Sequence, residues 1–388
     1  MGKIKVLFIT PETQRAGAPL QLFNFISWLI EKELAEPVIL LSSRGSIDED
    51  FQKLGKTFFY YYYKPAAGKN IFSKIGHRVF NSSIGKRFYL RRLRDHLSAF
   101  KPELVYSNTI VNGDMLEFCN FLHVPVITHV HESGYLTGLY GERNLAAVKR
   151  YSSHFIACSN HVRQSLINLQ IPAEQISLVY SSVNKDAVAH IQAASVAGAV
   201  ESAVKSGKKI IGSSGGLGWL KGSDLVVPFI KELLKTEPDI CFLWVGGNPA
   251  SIEYKQALTD IRNTGLQNNI IITGTVNNPL YYFSLMDVFV LLSREDSFPL
   301  VCLENSLLFN PVVCFEKSGG ATELLADWPD NIIPYLDIAK LSERVLEILN
   351  DKPLREKIGD SMRKKVTENF DSEKCFPEIF KIMQNNFS

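Results

Sequence analysis

Two carboxylates eight positions apart, Asp296 and Glu304, stand in the segment Ser293-Arg294-Glu295-Asp296-Ser297-Phe298-Pro299-Leu300-Val301-Cys302-Leu303-Glu304. An apolar strand-like run, 288–292, precedes the segment, and the pattern opens a helix near Leu300. A helix starting there turns its free amides back toward the loop. In that setting a loop carboxylate can accept from sugar hydroxyls, and a carboxylate a turn into the helix can hold a ribose diol. Ordinary first-turn capping produces the same spacing, so the residues alone leave both readings open.

A second cluster, Gly212-Ser213-Ser214-Gly215-Gly216-Leu217-Gly218, follows a strand-like run and precedes a helix expected near Ser223. Backbone amides and a helix N-terminus then converge, which suits a phosphate. The spacing fails the GxGxxG dinucleotide fingerprint, and the next strand ends in Gly246-Gly247 where that fingerprint needs a ribose-binding acid. Residues 212–216 match GxSxG, with Ser214 in the nucleophile position, but all eight histidines precede Ser214, whereas that hydrolase order is Ser, acid, His. A diphosphate cradle with Lys221 supplying charge remains, beside a plain strand-to-helix turn.

Two metal-like fragments are weaker. His129 and His131 form an i, i+2 pair on one strand face without an evident third ligand. Asp48-Glu49-Asp50 is a DxD triplet, but it follows Ser46 at an expected helix start, where the dipole favours acids.

The elements that must position these residues alternate along both halves of the 388-residue chain. Strands are expected at 3–9, 36–41, 57–63, 104–107, 125–130, 154–158 and 176–180, then at 208–212, 240–245, 269–273, 288–292, 311–315 and 332–334. Helical patterns lie between most of them, and only helices follow from about 337. Such alternation implies parallel sheets covered on both faces. The run Tyr60 to Tyr63 fits a strand with two rings on each side. The expected organisation is a first Rossmann-like domain at 1–186, a linker carrying a helix at 187–206, a second domain at 207–370, and a C-terminal helix at 371–388 packing back on the first domain. Ligands of doubly wound sheets bind at the carboxyl ends of the strands.

Composition is that of an ordinary globular protein, with 46% hydrophobic and 21% charged residues. No apolar run approaches the ~18 residues of a membrane span, and the N-terminus enters a strand pattern without an export signal. Six scattered cysteines without a CxxC pair read as reduced thiols in a cytosolic protein. The net charge is +2, yet residues 64–94 hold nine Lys and Arg and no acid, leaving the remainder net acidic. Apolar residues at near-helical spacing (Phe72, Ile75, Val79, Phe80, Ile84, Phe88) make this stretch either a basic amphipathic surface for an anionic membrane or polyanionic acceptor, or a solvated helix face. Nothing in the pattern of basic and aromatic residues indicates a nucleic-acid module.

The Asp296-x7-Glu304 segment resembles the E-x7-E signature of retaining glycosyltransferases of the GT-B fold, family 4, in a variant reading S-R-E-D-x-F-P. The order of other landmarks resembles that family along nearly the whole chain. These are Gly17-Ala18-Pro19, Pro125 to His131-Glu132, Ala157-Cys158-Ser159, Lys221-Gly222-Ser223-Asp224, Val245-Gly246-Gly247, Gly274-Thr275-Val276, Asp287-Val288-Phe289 and Gly319-Gly320-Ala321-Thr322-Glu323.

The resemblance implies two doubly wound α/β domains facing across a cleft, with a nucleotide-diphosphate sugar as substrate; with Lys221, the glycine turn and the free amides of the Phe298 and Leu300 region at the diphosphate, no cofactor or metal is expected. It implies that Glu304 binds the ribose, and that Asp296 with Ser297 and the Phe298-Pro299-Leu300 turn grips the donor sugar and diphosphate. Lys221 would neutralise the diphosphate, the Gly274 backbone would line the base, His131 would face the sugar, and Gly17-Ala18 would lie against the phosphates or acceptor. Catalytic roles would fall to Asp296, Lys221 and His131. The sugar would pass, with retention, to a glycan or lipid-linked acceptor in surface polysaccharide or glycoconjugate synthesis; the protein is expected in the cytoplasm, peripheral on the inner face of the membrane where the cations of 64–94 engage an anionic surface. One departure stands out: the family usually has Arg five residues before the Lys of its Lys-Gly pair, and this chain has Gly216, so Lys221 acts alone or with another cation such as Arg294 or Arg143. The same residues admit an inactive sugar-nucleotide-binding or scaffold protein, or an epimerase or phosphorylase on the same fold.

Overall fold

The computed structural model describes residues 2–14, 17–60, 83–132, 134–191 and 198–387. Seven parallel strands form the first sheet: Ile4–Thr10 (β1), Ala35–Leu41 (β2), Lys56–Phe59 (β3), Leu104–Ser107 (β4), Val126–Val130 (β5), His154–Ala157 (β6) and Ile176–Leu178 (β7). Their order is β3-β2-β1-β4-β5-β6-β7. Six parallel strands form the second: Lys209–Ser214 (β8), Ile240–Val245 (β9), Ile270–Ile272 (β10), Val288–Leu291 (β11), Val312–Phe315 (β12) and Ile332–Ile333 (β13), in the order β10-β9-β8-β11-β12-β13. Every pairing within both sheets is parallel, with helices between successive strands. These are two Rossmann-like sheets, and all thirteen strands fall on the runs read from the sequence. The third strand ends at Phe59 before the tyrosine run, of which residues 61–63 lie outside the described residues.

The chain divides into two compact units. Unit 1 takes residues 1–158, 162–179 and 376–388, and unit 2 takes 159–161 and 180–375. In unit 1, β1 is an inner strand and wholly apolar over Val6 to Ile9, because helices cover both faces. Phe25 and Trp28 of the helix Gly17–Glu31 pack on Phe376, with ring centroids 5.3 and 6.0 Å away. The last helix, Ser372–Asn386, thus completes the core of unit 1 with its distal part.

In unit 2, β8 and β9 form the middle of the core, where Phe229 and Phe242 meet edge to face at 6.2 Å. The segment following β7 joins this unit rather than the first. Tyr180 packs on Phe298 and Phe370 at 5.0 and 5.3 Å, and Lys185 pairs with the buried Asp371 at 2.7 Å. Of the stretch expected to link the domains, Gly198–Lys205 is a helix belonging to unit 2, and 192–197 lies outside the described residues. Two helices, Ile338–Asn350 and Lys352–Asn369, close the unit. All six cysteines are buried free thiols. Among the described residues no helix is long and apolar enough to cross a membrane.

Candidate functional site

The sheet of unit 2 reverses its strand order between β8 and β11, the point beside which ligands of doubly wound sheets bind. Lys221 lies on the loop after β8, Asp296 on the loop after β11, and the two side chains meet in an ion pair at that point. Sequence reading treated them as separate ligands of one substrate; the structure shows them to be direct partners.

Glycine makes the approach possible. Gly222 has φ +71°, and a Cβ there would sit 2.0 Å from the carbonyl oxygen of Leu292. No L side chain fits that position, so the loop after β8 can press its backbone on the end of β11 only with Gly after Lys221. Arg294 N then donates to Leu220 O at 2.9 Å, tying the two loops. The Lys221 stem lies over Gly215, whose carbonyl accepts from Trp244 Nε1 at 3.0 Å. The helix expected near Ser223 begins as a 3-10 turn, Ser223–Leu225, and becomes α-helical at Val226. Ser214, the centre of the GxSxG match, donates to Val245 O at 2.8 Å and is committed to the sheet.

Arg294 is not available to share the load of Lys221. Its guanidinium forms a two-pronged contact with Asp224 at 2.8 and 2.7 Å and lies over the Trp219 ring at 4.8 Å. This pairing lowers the Asp224 carboxyl below its ordinary range and raises Arg294. Arg294 thus braces the loop that presents Lys221, a role that the sequence did not reveal. Arg143 belongs to unit 1 and is largely exposed, 3.7 Å from Glu117. Gly216 has ordinary φ, and a Cβ there would meet nothing within 4 Å.

The Asp296 loop is clamped from the other side. Asp296 N donates to Ser318 O at 2.8 Å, and Gly320 N donates back to Asp296 O at 3.0 Å. A Cβ on Gly319 would be 2.0 Å from Asp296 O, and one on Gly320 2.2 Å from Ser297 O. Ser297 is buried and its carbonyl accepts from Ser159 Oγ at 2.7 Å, while the Phe298 ring is buried against Tyr180 and Phe370. Phe298 therefore anchors the turn by its side chain, leaving only backbone for a ligand. Pro299 precedes the helix Leu300–Leu307 without a side-chain cap, and Glu304 lies half-buried just over a turn inside. Glu323 accepts from the amides of Asn160 and His161 at 3.0 and 2.8 Å and from the Tyr180 hydroxyl at 2.9 Å. Burial and Glu323 push that phenol up to about 12.

Gly246 after β9 bridges Gly274 after β10, and Gly246 N donates to Thr273 Oγ1 at 3.1 Å. Both glycines have positive φ, +123° and +71°. Lys221, Gly216, Gly246, Gly274 and Asp296 thus all follow the carboxyl ends of unit 2 strands.

In unit 1 the corresponding end carries Gly17 and Ala18 after β1, Asn108 after β4 and His131 after β5. Asn108 joins them: its Nδ2 donates to Ala18 O at 2.9 Å, and its Oδ1 is 3.1 Å from His131 Nε2. Asn108 was missed in the sequence because asparagine after a strand is usually read as a turn residue. Burial holds His131 down at about 4. His129 is buried, hydrogen-bonded through Nδ1 to the Tyr106 hydroxyl at 2.6 Å, and lowered well below the ordinary imidazole range by burial and by His131. Glu132 accepts from Thr109 Oγ1 and from the amides of Ile110 and His131, both at 3.2 Å, and burial raises its carboxyl. Asp48 sits in the first turn of the helix Asp48–Leu54, where it accepts from the Thr13 hydroxyl and from Gly45 N at 2.9 Å. Both bonds are internal and hold a loop. Among the described residues no group of three or more His, Cys, Asp or Glu could hold a metal ion.

Two family models match the chain, glycosyl transferases group 1 over residues 199–365 and glycosyltransferase family 4 over residues 57–187. The chain is 28% identical over 119 residues to a capsular polysaccharide biosynthesis glycosyltransferase, CapM, of Staphylococcus aureus, covering 31% of each. It is 28% identical over 152 residues to an N-acetyl-alpha-D-glucosaminyl L-malate synthase of Bacillus anthracis, covering 39% of this chain and 38% of that one. The matches thus span between 31% and 38% of these curated relatives. Among solved structures, Anabaena HepE in complex with UDP-glucose superposes with a TM-score of 0.78 at 17% identity, covering 98% of this chain and all of that one. Sucrose-phosphate synthase of Thermosynechococcus elongatus gives 0.77 at 15% identity over 99% of each chain. Likeness at such identity concerns the fold.

Proposed function

We propose that this chain, which belongs to the family 4 glycosyltransferases of the GT-B fold, moves a sugar from a nucleotide-diphosphate donor to a glycan or lipid-linked acceptor with retention. The observation that carries this reading is the Lys221–Asp296 pair at the switch point of unit 2, ringed by glycine turns. Breaking a glycosyl–phosphate bond builds negative charge on the diphosphate and positive charge on the anomeric carbon. Lys221 and the backbone amides of Gly216 and Leu217, with those of Phe298 and Leu300, answer the first charge, since the Gly215 amide is held by Val245 O at 3.0 Å. Asp296 holds Lys221 in place before the donor arrives and then takes a sugar hydroxyl, while Glu304 takes the ribose diol. Gly274 lines the base. Gly17, Ala18 and His131 in unit 1 take the sugar or acceptor.

In this reading a cation and fixed dipoles do at the diphosphate what a divalent metal does in other transferases, so turnover continues in EDTA. The name of the Staphylococcus aureus relative supports an acceptor in surface polysaccharide synthesis. The cations of 64–94 would hold the enzyme on the anionic inner face of the membrane that carries such an acceptor; 64–82 lies outside the described residues.

A second reading, a sugar-nucleotide-binding protein without turnover, is favoured by one observation: Gly216 occupies the position where the family usually has Arg. One experiment separates them. Nucleotide sugars are screened by thermal shift, since a ligand at about 100 times its dissociation constant stabilises by about 2.7 kcal/mol. The best donor is then followed by NMR for transfer or hydrolysis, with EDTA present, and the anomeric configuration of the product is read. No stabilisation by any nucleotide sugar would sink the proposal. Stabilisation without bond cleavage selects the second reading, and cleavage that stops in EDTA and returns with Mn²⁺ overturns metal independence.

A further inference from the structure

We propose that Asn108 is a positioning residue that fixes the His131 imidazole as its Nε2–H tautomer, leaving Nδ1 as a hydrogen-bond acceptor for a substrate hydroxyl. Asn108 follows β4, the strand beside β1 at the point where the order of the first sheet reverses. It is 1% exposed, and its backbone amide donates to Ile9 O at 2.9 Å, so the residue is held from the start of its side chain.

The chemistry of the three partners settles each proton. Ala18 O can only accept, so the group 2.9 Å from it must be the amino end of the Asn108 amide. That places the carbonyl end toward His131 Nε2 at 3.1 Å. A carbonyl also can only accept, so Nε2 must carry the proton and, in the neutral ring, Nδ1 must carry the lone pair.

The surroundings keep the ring neutral. His129 lies beside it, centroids 4.1 Å apart, and is itself buried with its Nδ1 bonded to Tyr106. Glu132 is bonded to the His131 backbone, and its oxygens are taken up by Thr109, Ile110 N and His131 N. Asn108 itself brings no charge.

A ring in this state discriminates between substrate groups. Phosphate oxygens are acceptors and find no proton on Nδ1, so His131 is unsuited to the diphosphate. A sugar hydroxyl can donate to it, so the group His131 takes is a hydroxyl of the donor sugar or of the acceptor. This last step rests on the proposed transferase function; the tautomer does not.

The test is the ring ¹⁵N spectrum of the full chain labelled at histidine, with the His131 signals assigned by their loss in His131→Gln. At pH 7 we expect protonated Nε2 and bare Nδ1. A proton on Nδ1, alone or together with Nε2, overturns the inference. Asn108→Leu should leave a mixture of tautomers and lower kcat on the order of 10- to 100-fold, the scale of a displaced positioning contact, with little change in donor KM. An unchanged tautomer in that variant overturns the role of Asn108. The spectrum needs no substrate. A protein that shows the expected tautomer but transfers no sugar therefore refutes the transferase reading alone.

Discussion

Glu304 and Asp296 sit in the same segment and should fail differently when removed. Glu304→Ala should weaken binding of the free nucleoside diphosphate, because the proposed ribose contact is lost. Asp296→Ala should leave that affinity nearly intact and reduce turnover, and equal losses of affinity by calorimetry would refute the division. Gly216 offers the opposite kind of test. Its φ is ordinary and its surroundings are open, so Gly216→Arg should fold with unchanged stability. If the diphosphate lacks a second cation, the added guanidinium should tighten donor binding about tenfold, or about 1.4 kcal/mol; unchanged affinity means that Lys221 suffices. His129 and His131 also predict a pH dependence. Both are lowered from the ordinary 6.5 by burial, His131 to about 4. Between these values the unfolded chain binds more protons than the folded one, so stability must fall as pH drops through that window. The slope reaches about 1.4 kcal/mol per unit for each ring, opposed at its acid end by the raised Glu132. Urea unfolding at pH 7.5 and 5.5 should show this, with a flatter slope in His129→Phe.

Each loop of the unit 2 site is shaped by backbone pressed against backbone, so the sensitive positions are turns rather than charged residues. Gly222 bears both a left-handed φ and the Leu292 carbonyl, whereas Gly265, with φ +74°, would meet nothing within 4 Å. Gly265→Ala should therefore cost only the conformational term, about 1 kcal/mol. Gly222→Ala must also push two loops apart, and should cost about 2–5 kcal/mol by denaturant unfolding. Equal costs would show that the Lys221 loop yields without strain. The same clamp explains why Gly319 and Gly320 follow β12: they let the turn before Ala321 carry the Asp296 backbone.

Over the whole molecule the near-zero net charge hides a concentration of cations in 64–94. The described part of that stretch enters the helix Ser83–Phe100, which buries Leu93 and Leu97 and exposes Lys86, Arg87, Arg91 and Arg92, with Phe88 60% exposed. Arg94 lies over the Phe121 ring at 4.5 Å and so contributes to packing. Leu93 and Leu97 thus serve the core while Arg87, Phe88, Arg91 and Arg92 lie away from them around the helix; Lys86, seven residues before Leu93, is exposed on the Leu93 side. At about 1 kcal/mol per engaged basic residue, binding to anionic vesicles is expected, screened over about 8 Å at physiological salt. Replacing Lys86, Arg87, Arg91 and Arg92 with Ser should reduce it while leaving transfer to a soluble acceptor unchanged. Indifference of the wild type to anionic and zwitterionic vesicles at low salt would assign the face to solvent.

The sequence by itself determined the strands, because a parallel sheet covered on both faces writes each strand as a short apolar run, and thirteen such runs became β1 to β13. It also marked Lys221, Asp296 and Glu304, whose neighbours in the chain carry the family pattern. What only the tertiary structure decided were the pairings across long separations in the chain: Lys221 with Asp296, Arg294 with Asp224, Gly319 with Asp296, and Asn108 with both Ala18 and His131. The spacing of residues along one chain reports which face of a helix or strand each occupies. Which loops meet at a sheet's switch point depends on strand order, and that order is set by packing of distant segments.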